Sequence, residues 1–333
     1  MSNPLKTHLS RRTLLKSLGG LGAGVLTSSL ALNLGQRALS QSAHVPLQSA
    51  FYTTKVGAMD VTVIHDGIFH FPVAAFGTNA PEGALTTLLD KHFLPTDVAS
   101  VPMHLLLVRT EDKLVLIDTG MGDYTFPGDS PKSGRLLATL ALLGVHPEDI
   151  DSVLLTHGHP DHIGATVTHD GKASFPNATY YLPAAELPLW TQDPNRIDDD
   201  FFSFMVQVGN NALSPLHSQL ELYEGKVEIA KGVTTLEAPG HTPGHSAVML
   251  ESEGERLVNL ADTAVHYVAA LQEPSWALAA EMDPELAAFT RKDLLTWVSS
   301  ERIKVFGYHF PFPGLGYVLN NEDGSGWHWF PTI

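Results

Sequence analysis

The chain has 333 residues, of which 44% are apolar and 17% are charged. This balance is typical of a chain with a well-buried globular core and argues against intrinsic disorder. The formal net charge of −16 would repel a phosphate backbone, so we expect no nucleic acid as a partner. The absence of cysteine excludes disulfides, thiolate metal ligands and a cysteine nucleophile.

The N-terminus has the features of an export signal. The stretch Ser-Arg-Arg-Thr-Leu-Leu-Lys at 10–16 resembles a twin-arginine signal, a weakly apolar run follows at 17–34, and small residues near Ser40 suit cleavage. Because several glycines and serines interrupt the apolar run, cleavage is favoured over retention as a membrane anchor. We therefore expect a signal peptide in residues 1–40, the twin-arginine export machinery as a partner, and a periplasmic or secreted mature protein.

We predict one α/β domain over residues 41–333. Short apolar runs rich in β-branched residues alternate there with helical patterns, and no strong linker divides the chain. A strand at 60–64 should end at His65-Asp66-Gly67, and the runs 105–108 and 114–117 should pair as a hairpin. A helix is predicted over 134–143 and an acidic loop over 193–200. The further predicted strands are 153–155, 179–182, 233–236, 247–250 and 257–260.

A second helix is predicted near the C-terminus. Asp283-Pro284 places an N-cap aspartate before a proline at the first helical position. The apolar residues at helical spacing would form the buried face of this helix. They are Leu286, Phe289, Leu294, Trp297 and Val298.

The strongest chemical signal is the sequence Thr-His-Gly-His-Pro-Asp-His-Ile-Gly at 156–164, which follows an apolar strand. His157 and His159 alternate, so at a strand end both point to one side. Pro160 can start a helix, which would place Asp161 and His162 in its first turn. Packing can explain one buried histidine but not three with an aspartate at this spacing, so the motif predicts a metal site.

This motif resembles the H-x-H-x-D-H signature of the metallo-β-lactamase superfamily. The resemblance implies an αββα sandwich in the α/β class, with two mixed β-sheets covered by helices. It implies two divalent ions, bound by five histidines and two aspartates. One ion would bind His157, His159 and His241, and the other Asp161, His162 and His309, with Asp262 bridging them.

The resemblance also assigns roles around the ions. Asp118, in Asp118-Thr119-Gly120, would not bind the ions itself but would support the ligand histidines from the layer of residues around them. Asp161 would orient the nucleophile or relay its proton, Asp262 would bridge, and a hydroxide held between the ions would attack the substrate. Ala261 stands where the family usually has glycine before the bridging aspartate. Imidazole and carboxylate suit zinc, our first choice, and also iron, manganese or cobalt.

A narrower resemblance is to the methyl parathion hydrolase group. It rests on Phe-Pro-Asn-Ala at 175–178, Glu-Pro-Ser at 273–275, the segment 257–265 and the run 309–316. That group implies hydrolysis of neutral esters, namely lactones, aryl esters and organophosphate triesters such as methyl parathion and paraoxon, and it suggests a homodimer. The apolar pocket wall would be formed by Phe126, Trp190, Phe201 and Phe202.

Two alternatives to an esterase stay open. The chain could be a β-lactamase-like amidase, or a non-catalytic protein in which the metals only stabilise the fold. The remaining histidines are expected to be structural or exposed, with His245 the first exception because it follows the segment of His241.

Overall fold

The computed structural model describes residues 50–129 and 133–332. The predicted export signal of residues 1–40 lies outside the described residues. Within those ranges, no helix is both long enough and apolar enough to cross a bilayer.

The first half of the described chain forms a mixed seven-stranded sheet in the order β1 to β7. Pairing is antiparallel from β1 to β4 and parallel from β4 to β7. The predicted hairpin is confirmed as β3 and β4. The strands are β1 Phe51–Val56, β2 Met59–Pro72, β3 Val98–Arg109, β4 Leu114–Ile117, β5 Ser152–Leu154, β6 Thr179–Pro183 and β7 Leu220–Tyr223.

The second half forms another mixed sheet, in the order β14 to β8. All neighbours pair antiparallel except β11 and β12, which are parallel. The strands are β8 Glu228–Ala230, β9 Val233–Glu237, β10 Ser246–Ser252, β11 Glu255–Asn259, β12 Lys304–Phe306, β13 Leu315–Asn320 and β14 Trp327–Pro331.

Seven α-helices connect the strands within the described ranges. They are α1 Ala84–Lys91, α2 Leu136–Leu142, α3 Pro160–Ile163, α4 Glu186–Trp190, α5 Asp200–Leu213, α6 Ala269–Gln272 and α7 Pro284–Ser300. Asp283 caps α7 as predicted, because its side chain accepts a hydrogen bond from Leu286 N.

Three apolar clusters show how the layers pack. The middle one lies between the sheets, where Val61 and Val115 belong to the first sheet and Val248 and Leu257 to the second. A second cluster joins the outer face of the first sheet to α1, α2 and α5, and a third joins the outer face of the second sheet to α7. The fold is therefore the predicted αββα sandwich.

Strand β2 is longer than predicted. It does not end at His65-Asp66-Gly67 but passes through an irregularity between His65 and Gly67 and continues to Pro72. At this bulge the buried Asp66 carboxylate accepts hydrogen bonds from Met121 N and Leu136 N. A bulge accommodates the Asp-Gly pair without ending the strand.

The predicted buried face of α7 is wrong in part. Leu286 and Phe289 are 38% and 69% exposed. The buried stripe runs instead through Ala287, Arg291, Leu295, Val298 and Ser299. Apolar periodicity misses this stripe because its second member is an arginine, which is buried against the carboxylate of Glu281.

Candidate metal centre

The metal motif lies where β5 gives way to α3. His157 and His159 follow the end of β5, and Pro160 takes the first helical position of α3, as predicted. Asp161 and His162 are therefore in the first turn of that helix. The other candidate ligands each lie in a segment that follows a strand: His241 after β9, Asp262 after β11 and His309 after β12.

The structure brings all seven residues together in two buried groups. The first contains His157, His159, His241 and Asp262 and the second Asp161, His162 and His309, with ligand atoms within 4.8 Å of one another in each group. In the first group, His159 Nδ1 lies 3.0 Å from His157 Nε2 and 3.0 Å from His241 Nε2.

Asp262 lies between the two groups. Its Oδ2 is 3.1 Å from His241 Nε2, while its Oδ1 is 3.2 Å from both His162 Nε2 and His309 Nε2. Asp161 Oδ2 lies 3.5 Å from His309 Nε2 on the same side. Each oxygen of one carboxylate therefore faces one ligand group, which is the arrangement of a bridging ligand.

These atoms fit metal ions by spacing and by hydrogen bonding. Ligands bound about 2.0–2.1 Å from a tetrahedral ion lie about 3.3–3.4 Å apart, close to the observed separations. His162 Nε2 and Asp262 Oδ1 are buried without a hydrogen-bond partner among the described residues. Nitrogen and oxygen donors without sulfur suit zinc, iron, manganese and cobalt alike.

Three ligand histidines are held in the tautomer that metal binding needs. His162 Nδ1 lies 3.0 Å from Asp118 Oδ2, and His309 Nδ1–H donates to Pro102 O at 2.8 Å. His157 Nδ1 lies 3.2 Å from Thr156 Oγ1, whose hydroxyl donates to Asp118 at 2.9 Å. In each ring Nδ1 carries the proton, so the Nε2 lone pair is left for an ion.

Burial and neighbouring charge act differently on the two groups. Burial, reinforced by the surrounding imidazoles, lowers the pKa of His157 and His159 well below the usual value. Burial acts in the same direction on His162, but Asp262, Asp118 and Asp161 outweigh it and raise the pKa of His162 well above 6.5. The carboxylates thus concentrate negative potential at the second group, where it favours a cation.

Two backbone and side-chain features shape the bridging position. Ala261 has a φ of 43°, a left-handed value that glycine adopts without strain. This conformation accounts for the glycine that the family usually has there. Asp262 N donates to His245 Nε2 at 3.0 Å, and His245 Nδ1–H donates to Ala238 O. His245 thus orients the bridging residue.

A narrow cavity of about 50 Å³ opens onto the ligands. Phe126 and Phe201 line it, with ring centroids 5.8 Å apart. Phe69 and Phe71 complete the aromatic wall. They were missed because they lie in the part of β2 beyond the predicted strand end. Among the described residues, the lining includes no lysine or arginine.

Trp190 and Phe202 do not line this cavity, in contrast to the prediction. Trp190 is fully buried behind His159, with ring centroids 5.1 Å apart, and Phe202 packs against Trp190 at 5.9 Å. Phe202 does not reach the cavity because neighbouring side chains on the helix α5 point about 100° apart. Phe201 faces the cavity, so Phe202 cannot.

Other supporting residues were not found from sequence. Tyr308 donates from its hydroxyl to Asp161 O at 2.6 Å and stacks on His162 at 4.0 Å. His104 Nε2–H donates to Phe310 O at 2.9 Å and so supports the segment that contains His309. A tyrosine directly before a ligand histidine is the signal that could have suggested Tyr308.

Comparison with known proteins decides the family. A sequence model of the metallo-beta-lactamase superfamily matches residues 104–323. The chain belongs to this superfamily. An N-acyl homoserine lactonase of Bacillus cereus is 25% identical over 245 residues, which cover 69% of this chain and 86% of that protein.

Two solved structures are similar over most of the fold. AidC, described as a dizinc quorum-quenching lactonase in complex with the product N-hexanoyl-L-homoserine, has a TM-score of 0.78 and 27% identity, covering 85% of this chain and 98% of that one. The hydrolase AbOPH has a TM-score of 0.76 and 26% identity over the same shares. This protein is accordingly a metal-dependent hydrolase that has lactonases among its relatives.

Proposed function

We propose that the protein hydrolyses uncharged lactones that carry an apolar substituent, using two divalent ions held by the seven ligands. The observation that carries this proposal is the phenylalanine-lined cavity next to the ligand groups, whose described lining includes no lysine or arginine. Such a wall favours acyl and aryl groups over phosphate monoesters. The Bacillus cereus lactonase and AidC support the choice of lactones.

The residues of the chain divide the work of the reaction. When bound, the two ions would make water nucleophilic at neutral pH and polarise the carbonyl oxygen. Phe126 and Phe201 would hold the apolar substituent and exclude bulk water. Asp161 lines the cavity, where its carboxylate can accept the proton of the attacking water and return it to the alkoxide that leaves as the ring opens.

Aryl esters and neutral phosphate triesters are a second substrate class. The observation that favours them is the same uncharged aromatic lining, which matches the resemblance to the methyl parathion hydrolase group. A β-lactam amide is disfavoured, because the described lining includes no lysine or arginine to bind the carboxylate that such antibiotics carry.

The deciding experiment combines metal analysis with substrate comparison. Purified protein is assayed with N-hexanoyl homoserine lactone, dihydrocoumarin, an aryl acetate, methyl paraoxon and a cephalosporin, before and after chelation. We expect about two ions per chain, turnover lost on chelation, and the highest kcat/KM for the lactones. Turnover that survives complete metal removal, or a preference for the cephalosporin, would contradict the proposal. A metal-loaded protein inert to every substrate would favour the non-catalytic alternative.

We also propose export by the twin-arginine pathway, with residues 1–40 removed. The combined change Arg11→Lys and Arg12→Lys should leave the protein in the cytoplasm, as measured by cell fractionation. Recovery of this variant in the same cell fraction as the wild type would contradict the proposal. The homodimer stays a prediction, for which light scattering of the purified protein is the test.

A further inference from the structure

Glu186 is a fully buried carboxylate with no part in the proposed reaction. It is the first residue of α4. Its Oε1 accepts a hydrogen bond from Gly244 N at 2.7 Å, and its Oε2 accepts one from Gly158 N at 3.0 Å and one from Trp190 Nε1 at 2.6 Å. Both oxygens are thus used as acceptors, which only a carboxylate can do.

Two of the three donors lie in the segments that supply the imidazoles of the first ligand group. Gly158 separates His157 from His159, and Gly244 lies three residues beyond His241. One side chain therefore ties together two segments of the chain that are far apart in sequence. A backbone hydrogen bond from Ser246 N to Thr156 O at 3.0 Å also joins the two segments, so Glu186 adds a second connection between them.

Packing around Glu186 leaves little freedom for either segment. A Cβ atom at Gly158 would lie 2.0 Å from Trp190 Cδ1, and one at Gly244 would lie 2.9 Å from Glu186 Oε1. Trp190, which is oriented by its hydrogen bond to Glu186, also packs edge-on against His159. The carboxylate thus sets the positions of the backbone and of one ligand ring.

The second ligand group depends on a different carboxylate. Asp118 accepts from His162 Nδ1, and it accepts from both the backbone and the hydroxyl of Thr156. Among the described hydrogen bonds, Glu186 has none to Asp161, His162 or His309. Asp118 therefore supports His162 directly and His157 through Thr156, whereas the hydrogen bonds of Glu186 reach only the segments of the first group and Trp190.

We propose that Glu186 is a positioning residue for the first ion, the one bound by His157, His159 and His241. Glu186→Gln keeps the shape of the side chain but replaces one acceptor oxygen with an amino group that faces an N–H donor. Loss of an outer partner of this kind typically lowers metal affinity by about 10- to 100-fold. We expect that loss at the first ion, with the affinity for the second ion unchanged.

The test follows Co²⁺ binding to the metal-free protein. Equilibrium dialysis gives the two affinities, and proton NMR identifies the sites, because the ring N–H protons of imidazoles bound to Co²⁺ are strongly shifted. Variants His159→Asn and His309→Asn assign the signals of the first and second sites. In Glu186→Gln, the first-site signals should appear only at about 10- to 100-fold higher free Co²⁺.

Three comparisons make the outcome specific. Asp118→Asn should lower the affinity at both sites, because Asp118 holds His162 directly and His157 through Thr156. The exposed Glu221→Gln should bind both ions like the wild type. Trp190→Phe removes a single donor and keeps a buried ring, so a drop of about 2- to 10-fold at the first site is expected, which keeps the proposal testable if Glu186→Gln does not fold.

Either of two results would overturn the role of Glu186: wild-type affinity at both sites in folded Glu186→Gln, or an equal loss at both. The proposal rests on the dinuclear site and not on the choice of substrate. A wild type that binds no Co²⁺ would defeat the proposed function as well. Two bound Co²⁺ ions with no effect of Glu186→Gln would defeat only the positioning role.

Discussion

Replacing Arg291 with methionine would remove the charged partner of the buried Glu281 together with several hydrogen bonds. The guanidinium is 3% exposed. It donates to Thr263 O at 2.7 Å, to Pro274 O at 2.9 Å and to the Glu281 carboxylate. Glu281 in turn accepts from Leu278 N. Removing one partner of a buried ion pair typically costs about 3–5 kcal/mol, so we expect a loss of that size in the free energy of unfolding.

The same change should also disturb the site. Thr263 follows the bridging Asp262, and Leu278 lines the cavity. Because Arg291 holds Thr263 directly and Leu278 through Glu281, KM for a lactone should rise more than kcat falls. The unfolding assay is urea denaturation at a fixed, saturating concentration of metal ion, since bound ions add to the stability of the folded state.

A double-mutant cycle separates the ion pair from general damage. Glu281→Gln alone should cost less, about 1–3 kcal/mol, because Arg291 keeps its carbonyl acceptors. The double variant should be more stable than the sum of the single losses predicts, by about 1–3 kcal/mol. Losses that simply add, or an Arg291→Met variant within about 1 kcal/mol of the wild type, would refute this account of the pair.

Three further outcomes are expected. Burial, reinforced by His65, lowers the pKa of His104 in the folded protein to about 3. In the unfolded chain His104 takes up a proton near pH 6.5. The stability that the neutral, buried His104 contributes is therefore complete above pH 6.5 and is lost as the pH falls from there towards 3. His104→Gln should therefore flatten the pH dependence of unfolding in this window by up to about 1.4 kcal/mol per pH unit, and an unchanged slope would contradict it. Phe201→Ala should raise kcat/KM for long-chain over short-chain lactones by about 10-fold, whereas Phe202→Ala, outside the cavity lining, should leave that ratio unchanged; equal effects would contradict the assignment of the wall. Chelation should lower the midpoint of thermal unfolding, because the ions bind only the folded arrangement of ligands, and a midpoint that does not move would argue against an occupied centre.

The parts of the site that could be predicted are those encoded locally. His157, His159, Asp161 and His162 lie within six residues, so one strand end and one helical turn are enough to bring them together. The hairpin of β3 and β4 and the N-cap at Asp283 are local in the same way. For such features, the physical cause and the sequence signal coincide.

The parts that could not be predicted depend on contacts between distant residues. Glu186 and Arg291 look like surface residues in sequence, and only their partners, such as Gly244 N and Thr263 O, make their burial favourable. A bulge has no strong sequence signal, which is why β2 was ended too early and its phenylalanines were not assigned to the cavity. The position of Trp190 likewise depends on a distant contact, the hydrogen bond from its indole Nε1 to the buried Glu186 carboxylate.

The order of the strands has a consequence for how the molecule could be taken apart. Every described strand of the first sheet precedes Glu224 in the chain, and every described strand of the second follows Val227. One half contributes His157, His159, Asp161 and His162, and the other contributes His241, Asp262 and His309. A break at Gly225 would thus yield two contiguous fragments, each with an incomplete set of ligands. Their reassembly would depend on the sheet interface and on the ions together, so that added metal would control the association of the two fragments.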